Sequence, residues 1–281
     1  MSGSPAAIRA LTALLEQRTG QRIADTRQWR IGTALTAVLR KHDMQNLDQL
    51  ALALDKPGTT PLATEIVEAL VNNETYFFRD RAVFDMIAKE ILPELARRRE
   101  GAKRLAIWSA GCSTGQETLS LAMIFAEQKA RWQGWTIDIL GTDVSPRAIA
   151  IARKAVYPQF QIQRGLGITQ MLASFDETED GWAVRPELRR MVRYTVHNIL
   201  DQRPVHYPFD LILCRNVLLY FDRDTRARAF DRLAEALAPG GNLLLGGGET
   251  AVGQNERLAP VKGRPGFFSH PEPAQNCRNL P

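Results

Sequence analysis

The chain has 281 residues, 44% hydrophobic and 24% charged, which describes a globular protein with material for a full-sized core and one or two domains. No apolar run approaches the ~20 residues of a bilayer span, and Met1-Ser-Gly-Ser-Pro-Ala-Ala7 lacks the apolar core of a signal peptide. The formal charge is +5, and residues 1–41 hold seven bases against two acids, so the excess is concentrated at the N-terminal end, which reads either as an attraction for an acidic partner or as a solvated helix surface.

In chain order, Ile8, Leu11, Leu14 and Leu15 recur at helical spacing and predict a helix over 6–18; Ile31, Leu35, Val38 and Leu39 predict another over 28–40. Shorter helices are expected at 47–54 and 62–72, separated by the turn-rich Asp55-Lys-Pro-Gly-Thr-Thr-Pro61. The reading is a helical N-terminal domain over 1–72, followed by a larger domain over 73–281. Asn72-Asn-Glu-Thr-Tyr-Phe-Phe-Arg79 reads as a linker helix capped by Asn73 or Thr75, and a further helix is expected around 80–99.

From Arg104 onward, strands alternate with helices. Strands are expected at 104–109, 135–141, 192–196, 209–214 and 242–245, with helices at 115–130, 146–154 and 224–238. Ser145 suits an N-cap and Pro146 the first helical position. Pro239-Gly-Gly241 is expected to stop the last helix, and Gly266-Phe-Phe-Ser269 to add an edge strand. This rhythm predicts an α/β, Rossmann-like fold with a mostly parallel sheet covered on both faces. Residues 157–190 break the rhythm with turn-rich stretches and read as a small β insertion; the tail after Ser269 reads as weakly ordered.

The most informative stretch is Leu105-Ala-Ile-Trp-Ser-Ala-Gly-Cys-Ser-Thr-Gly-Gln-Glu117, an apolar strand entering a glycine turn and then a helix. In open α/β sheets, ligands bind beyond the carboxyl ends of the strands. The spacing Gly111…Gly115 departs from the G-x-G-x-x-G of dinucleotide sites, and Glu117 at the helix start would repel a phosphate. A ligand with a cationic and hydroxyl-rich face suits this turn, which points to S-adenosylmethionine. Asp143, ending the second strand, is placed to take ribose hydroxyls. Asp138 within that strand is expected to be structural. Asn198 is either a turn residue or a partner of the adenine edge. In Cys214-Arg-Asn-Val-Leu-Leu-Tyr-Phe-Asp222, Leu218 and Leu219 read as core, and Asn216 and Tyr220 are the polar exceptions. The three cysteines, with Cys112 and Cys214 at strand ends, indicate a reduced, cytoplasmic protein, and the four histidines show no metal-binding spacing.

These motifs together resemble the chemoreceptor methyltransferases of the CheR family. That pattern runs Asn-x-Thr-x-Phe-Phe-Arg, Gly-Cys-Ser-Thr-Gly-Glu-Glu-Pro-Tyr-Ser, an Asp after the second strand, Asn-Leu, and Cys-Arg-Asn-Val-x-x-Tyr-Phe. Here it stands as Asn73…Arg79, Gly111…Ser120, Asp143, Asn198-Ile199 and Cys214…Phe221. The resemblance covers about residues 5–269. It implies a class I methyltransferase sheet and an S-adenosyl-L-methionine-dependent protein-glutamate O-methyltransferase, releasing S-adenosyl-L-homocysteine. It implies contact of Asn73, Thr75, Arg79, Gly111, Glu117, Asp143, Asn198, Ile199, Asn216 and Val217 with the cofactor. Arg79 and Tyr220 would flank the point of methyl transfer. The basic N-terminal helices would meet the acidic cytoplasmic helices of chemotaxis receptors.

This chain departs from the pattern at Gly115-Gln-Glu-Thr-Leu-Ser120, which lacks the Pro-Tyr pair. The insertion turn Asp176–Gly181 is acidic and lacks the glycine-rich loop of members that dock a receptor C-terminal peptide, which argues against such docking. A glutamate carboxylate, with an ordinary pKa near ~4.3, is already ionised at neutral pH and needs no general base. The rivals are a nucleic-acid methyltransferase and a silent cofactor-binding regulator. Trp29 is the one aromatic residue within 1–41, and the Asn-Pro-Pro-Tyr tetrad of amine methylation is missing, so nucleic acid is not an expected partner; nor is membrane insertion.

Overall fold

The computed structural model describes residues 3–54 and 58–271; the first residues of the predicted 55–61 loop and the tail with Cys277 lie outside the described residues. Helix α1 (Pro5–Thr19) starts where the Ser4 hydroxyl accepts the Ala7 amide, and it ends at Gly20, whose φ of 77° closes a left-handed cap. The helix expected over 28–40 is two: α2 (Trp29–Ala34) and α3 (Thr36–Lys41), joined through Leu35 at φ −87°, ψ 0°. Gly32 and Thr33 are weak helix formers, and the fully buried Leu35 is held where the N-terminal core needs it. With α4 (Leu47–Leu54) and α5 (Thr60–Leu70), these helices enclose Leu11, Ile31, Leu35, Leu39, Leu50 and Ile66 in a core of their own.

The linker helix expected at 73–79 does not form. Asn72 Oδ1 accepts the Glu74 amide instead, and Phe78 and Asp80 take φ of 51° and 62°. Phe77 and Phe78 are buried, Phe77 meeting Tyr157 and Phe175 edge-on at 5.4 and 5.5 Å; burial of the two rings outweighs local helix preference. The helix expected at 80–99 comprises α6 (Arg81–Met86), one π-helical turn at Ile87–Ile91 and α7 (Leu92–Arg98). Pro93 falls at the start of α7, where the wide turn ahead of it accommodates a residue without an N–H.

The second unit runs β1 (Arg104–Ala110), α8 (Gln116–Glu127), β2 (Thr136–Asp143), α9 (Pro146–Lys154), β3 (Val156–Tyr157), α10 (Gln159–Gln163), α11 (Ile168–Ser174), β4 (Phe175–Thr178) and β5 (Gly181–Val184). It continues with α12 (Pro186–Arg189), β6 (Val192–Val196), β7 (Phe209–Cys214), a 3-10 turn at Leu218–Tyr220, α13 (Arg223–Ala236), β8 (Leu237–Leu245), β9 (Ala259–Pro260) and β10 (Phe267–Ser269). The main sheet has the order β6-β2-β1-β7-β8-β10-β9. Its first five strands are parallel and the last two pairings antiparallel, giving a Rossmann-like α/β fold.

Alternation along β1 sends Leu105 and Ile107 to one core and Ala106, Trp108 and Ala110 to the other, so both faces are covered. The Ser145 hydroxyl caps α9 at the Ala148 amide with Pro146 at its first position, as its sequence predicts. Two sheet boundaries differ from expectation. β8 begins at Leu237, with an irregular pairing to β7 that absorbs Pro239-Gly-Gly241, so those residues do not stop the helix. The 267–269 strand lies inside β9 and is not the edge. The insertion forms a separate antiparallel sheet, β3-β5-β4.

Candidate functional site

Strand order reverses around β1: the chain steps to β2 and β6 on one side and then to β7 and β8 on the other, leaving a crevice above the end of β1. Gly111 makes the turn there, its amide and that of Cys112 both donating to the Thr142 carbonyl at 2.8 Å. Its φ is 80°, and a Cβ at this position would stand 2.3 Å from Val217 Cγ2, so both conformation and space require glycine.

A cleft of about 760 Å³ opens above this turn. All ten residues named as cofactor contacts line it. Asn73, Thr75 and Arg79 come from the linker; Gly111 and Glu117 come from the first turn. Asp143 ends β2, Asn198 and Ile199 follow β6, and Asn216 and Val217 follow β7. The helical unit supplies the opposite wall with Thr19, Gln21, Val71 and Asn72.

Arg215 organises the charges. Its guanidinium, with the side chain 2% exposed, donates to Glu117 Oε2 at 2.9 Å, to the Arg79 carbonyl at 2.9 Å and to Asp80. Glu117 Oε1 accepts the Ser109 hydroxyl at 2.8 Å, so the carboxylate is held by two donors at the start of α8. Burial lifts the Asp143 carboxyl above its ordinary value, although Oδ1 accepts the Ser145 amide at 2.9 Å and Oδ2 the Ser113 amide at 2.8 Å. Burial likewise pulls His197, another lining residue, below the ordinary histidine value and keeps it neutral. Cys112 lines the cleft too, and burial, with Asp143 and Glu117 beside it, pushes its thiol well up. Asn216 Oδ1 is buried without a hydrogen-bond partner, an acceptor left open to a ligand N–H. Ser113 and Asn216, both in the cleft wall, take positive φ of 50° and 60°, a conformation uncommon outside glycine.

Asn198 is the turn residue its sequence allowed, its Oδ1 accepting the Leu200 amide at 3.0 Å and its Nδ2 donating to the Arg18 carbonyl at 3.3 Å, and it also lines the cleft. Tyr220 does not line the cleft. It lines a second cavity of about 1090 Å³ between the helical unit and the 218–220 turn, along with Arg22, Arg27 and Arg30. The cleft and this cavity share Gln21, Val71 and Asn72, and Asn72 Nδ2 donates to the Tyr220 hydroxyl at 2.8 Å on that shared wall. The Arg22 amide donates to the Tyr220 carbonyl at 2.7 Å. Arg22 pairs with Glu16 and Asp222, whereas Arg27 and Arg30 have no ion-pair partner among the described residues. Leu218 is core as expected, but Leu219 is 39% exposed at this cavity. Asp138 is structural, joined to Arg193 and Tyr207 away from the cleft.

Arg215, Asn72 and His197 were not among the residues singled out from sequence, yet each borders the cleft. Arg215 stands inside the Cys214–Phe221 motif, so its position was legible and its inward orientation was not.

Residues 73–267 match the family described as CheR methyltransferase, SAM binding domain. The chain is 31% identical over 263 residues to a chemotaxis protein methyltransferase of Vibrio parahaemolyticus, covering 92% of this chain and 94% of that protein. It is 31% identical over 257 residues to chemotaxis protein methyltransferase 1 of Vibrio cholerae, covering 90% and 92%. Against chemotaxis protein methyltransferase 1 of Pseudomonas aeruginosa it is 31% identical over 272 residues, covering 95% and 98%.

Proposed function

Because the chain belongs to the CheR methyltransferase family, and is thus an S-adenosylmethionine-dependent methyltransferase of chemotaxis, we propose that it esterifies glutamate side chains on the cytoplasmic helices of chemotaxis receptors. The observation that carries this reading is the junction at Asn72, where a cleft with acidic and amide acceptors meets a cavity lined by Arg22, Arg27 and Arg30. One side suits a cationic donor and the other an anionic acceptor.

The residues of the cleft fit the cofactor. The open acceptor Asn216 Oδ1 suits an ammonium N–H, and Asp143, with one amide on each oxygen, retains acceptor capacity for ribose hydroxyls. Asn198 and Ile199 would border the adenine, while Glu117, Asn73, Thr75 and Val217 complete the wall. When bound, S-adenosylmethionine supplies a methyl carbon made electrophilic by its sulfonium. The protein's own work is alignment. Arg79, whose guanidinium hydrogen-bonds only the Glu74 carbonyl, at 3.2 Å, among the described residues, steers the incoming carboxylate; Tyr220, held by Asn72, orients it. Near-attack alignment of this kind lowers barriers by up to ~7–11 kcal/mol in favourable systems. A carboxylate acceptor asks for no base, and neutral His197 is not needed as one. The helical unit over 1–72 would form the receptor-facing domain, its Arg27 and Arg30 meeting acidic helices.

The test is transfer of a labelled methyl group to membranes bearing the native receptors. Label on receptor protein, released as methanol by alkali, is the expected outcome. Label on nucleic acid, alkali-stable label, or cofactor binding without transfer would each overturn the assignment.

A further inference from the structure

Glu249 lies outside every motif that carries the family resemblance, in the loop that follows β8. Its carboxylate accepts four backbone amides. Oε2 takes Asn216 N and Gly246 N, each at 2.8 Å; Oε1 takes Leu218 N at 2.7 Å and Leu219 N at 3.2 Å. Three of the four donors belong to the loop that leaves β7. Asn216 carries the open cofactor-side acceptor at φ 60°, and Leu218 and Leu219 open the 3-10 turn that ends in Tyr220. Those first-turn amides have no partner within the turn itself, so the carboxylate caps it from the loop after the neighbouring strand. The opposite pole is held as well: Arg226 donates to the Leu218 carbonyl at 3.1 Å and to the Phe221 carbonyl at 2.8 Å. Gly246 makes the approach possible, since a Cβ there would stand 2.7 Å from Glu249 Oε2 and 2.9 Å from Asn216 N.

We propose that Glu249 is a positioning residue for methyl transfer: one carboxylate fixes the donor-facing Asn216 and the acceptor-facing Tyr220 relative to each other. The inference rests on the reading of Tyr220 given above. All four partners are donors, so only an ionised carboxylate satisfies them. An amide would turn an N–H₂ group against amides that already donate, and the loop would lose its register. A misplacement of about 1 Å at a reacting centre costs on the order of 100-fold in rate.

Three readouts on the full chain test this. In the free protein, hydrogen exchange at Asn216, Leu218, Leu219 and Gly246 is expected to quicken at least ~10-fold in Glu249→Gln, with Leu211–Leu213 of β7 unchanged. On receptor membranes, kcat is expected to fall ~30–100-fold while the melting temperature stays near the parent's. In a Tyr220→Phe background, the same substitution should cost less than ~5-fold, because the two losses share one cause. Should Glu249→Gln not fold, Glu249→Asp keeps the charge one methylene short and is expected to give the same pattern with a loss of ~10-fold. Unaltered exchange, a kcat within about threefold of the parent, or losses that multiply with Tyr220→Phe would each overturn the proposal. A wrong receptor-glutamate reading shows itself separately, as a parent protein that methylates no receptor while its exchange pattern still reports the clamp.

Discussion

At the scale of single residues, the site depends on a cation that its surroundings rather than its neighbours in sequence make important. Arg215 is buried with two carboxylates and a carbonyl, and removing it leaves Glu117, 13% exposed, without its charged partner. Breaking a buried pair from one side costs about 3–5 kcal/mol. Arg215→Met is therefore expected to lower unfolding free energy by about that amount in urea denaturation, and adding Glu117→Gln should restore much of it. A variant that unfolds like the parent would show that the pair carries no such weight. Residue type and place were enough to expect Gly111, Glu117 and Asp143 together in one crevice, and all three line it: a glycine turn after β1, an acid opening α8 and an acid ending β2. The hub function of Arg215 was not readable, because the same arginine facing solvent would leave the motif unchanged. Cys112 shows a further effect of burial: its thiol is pushed well above the ordinary value in the cleft wall, so the nucleophilic thiolate does not form there at neutral pH.

At the scale of elements, pattern and packing agree except where side chains from elsewhere intervene. The five parallel strands and the α9 cap follow from apolar runs and from Ser145-Pro146. The 73–79 segment does not become a helix because Phe77 and Phe78 gain more from the core than a helical turn returns, and the 28–40 helix breaks where Leu35 is drawn inward. Sheet order is reinforced by Asp138 of β2, which takes Arg193 of β6 at 2.8 and 3.0 Å and the Tyr207 hydroxyl. Burial pushes the Asp138 carboxyl up, but the Tyr207 and Arg193 hydrogen bonds and the charges of Arg193 and Arg104 hold it below its ordinary value. A depressed carboxylate contributes its stability above the ordinary value and loses it as pH falls through the native one. Asp138→Asn is thus expected to cost about 1–3 kcal/mol at pH 7. The gap to the parent should begin to narrow below about pH 4 and close only as pH falls through the lower native value, checked by urea denaturation along that series. A gap independent of pH would remove the ionised carboxylate from the explanation.

At the scale of the whole molecule, the charge excess and the cleft belong to different units that meet along one seam. Arg27 and Arg30 are exposed on the second cavity without carboxylate partners among the described residues. Reversing both to Glu is expected to lower kcat/KM for receptor membranes about 10-fold at low salt, with S-adenosylhomocysteine affinity unchanged by calorimetry. The deficit should shrink near 0.5 M salt, as the Debye length contracts to roughly 4 Å. A salt-insensitive loss would mean direct contact rather than steering. The basic character of residues 1–41 was plain from composition, but its meeting with Tyr220 depends on tertiary placement that no periodicity reports. The seam is stitched by Glu68 accepting the Ser145 hydroxyl and the Arg147 amide, and by the Arg22 amide donating to the Tyr220 carbonyl. With Thr19, Gln21, Val71 and Asn72 forming one side of the cleft, neither half owns a complete chamber. If, as proposed, the N-terminal half greets the client and the cleft houses the donor, exchanging that half would remodel the donor's chamber, and the two specificities would drift together.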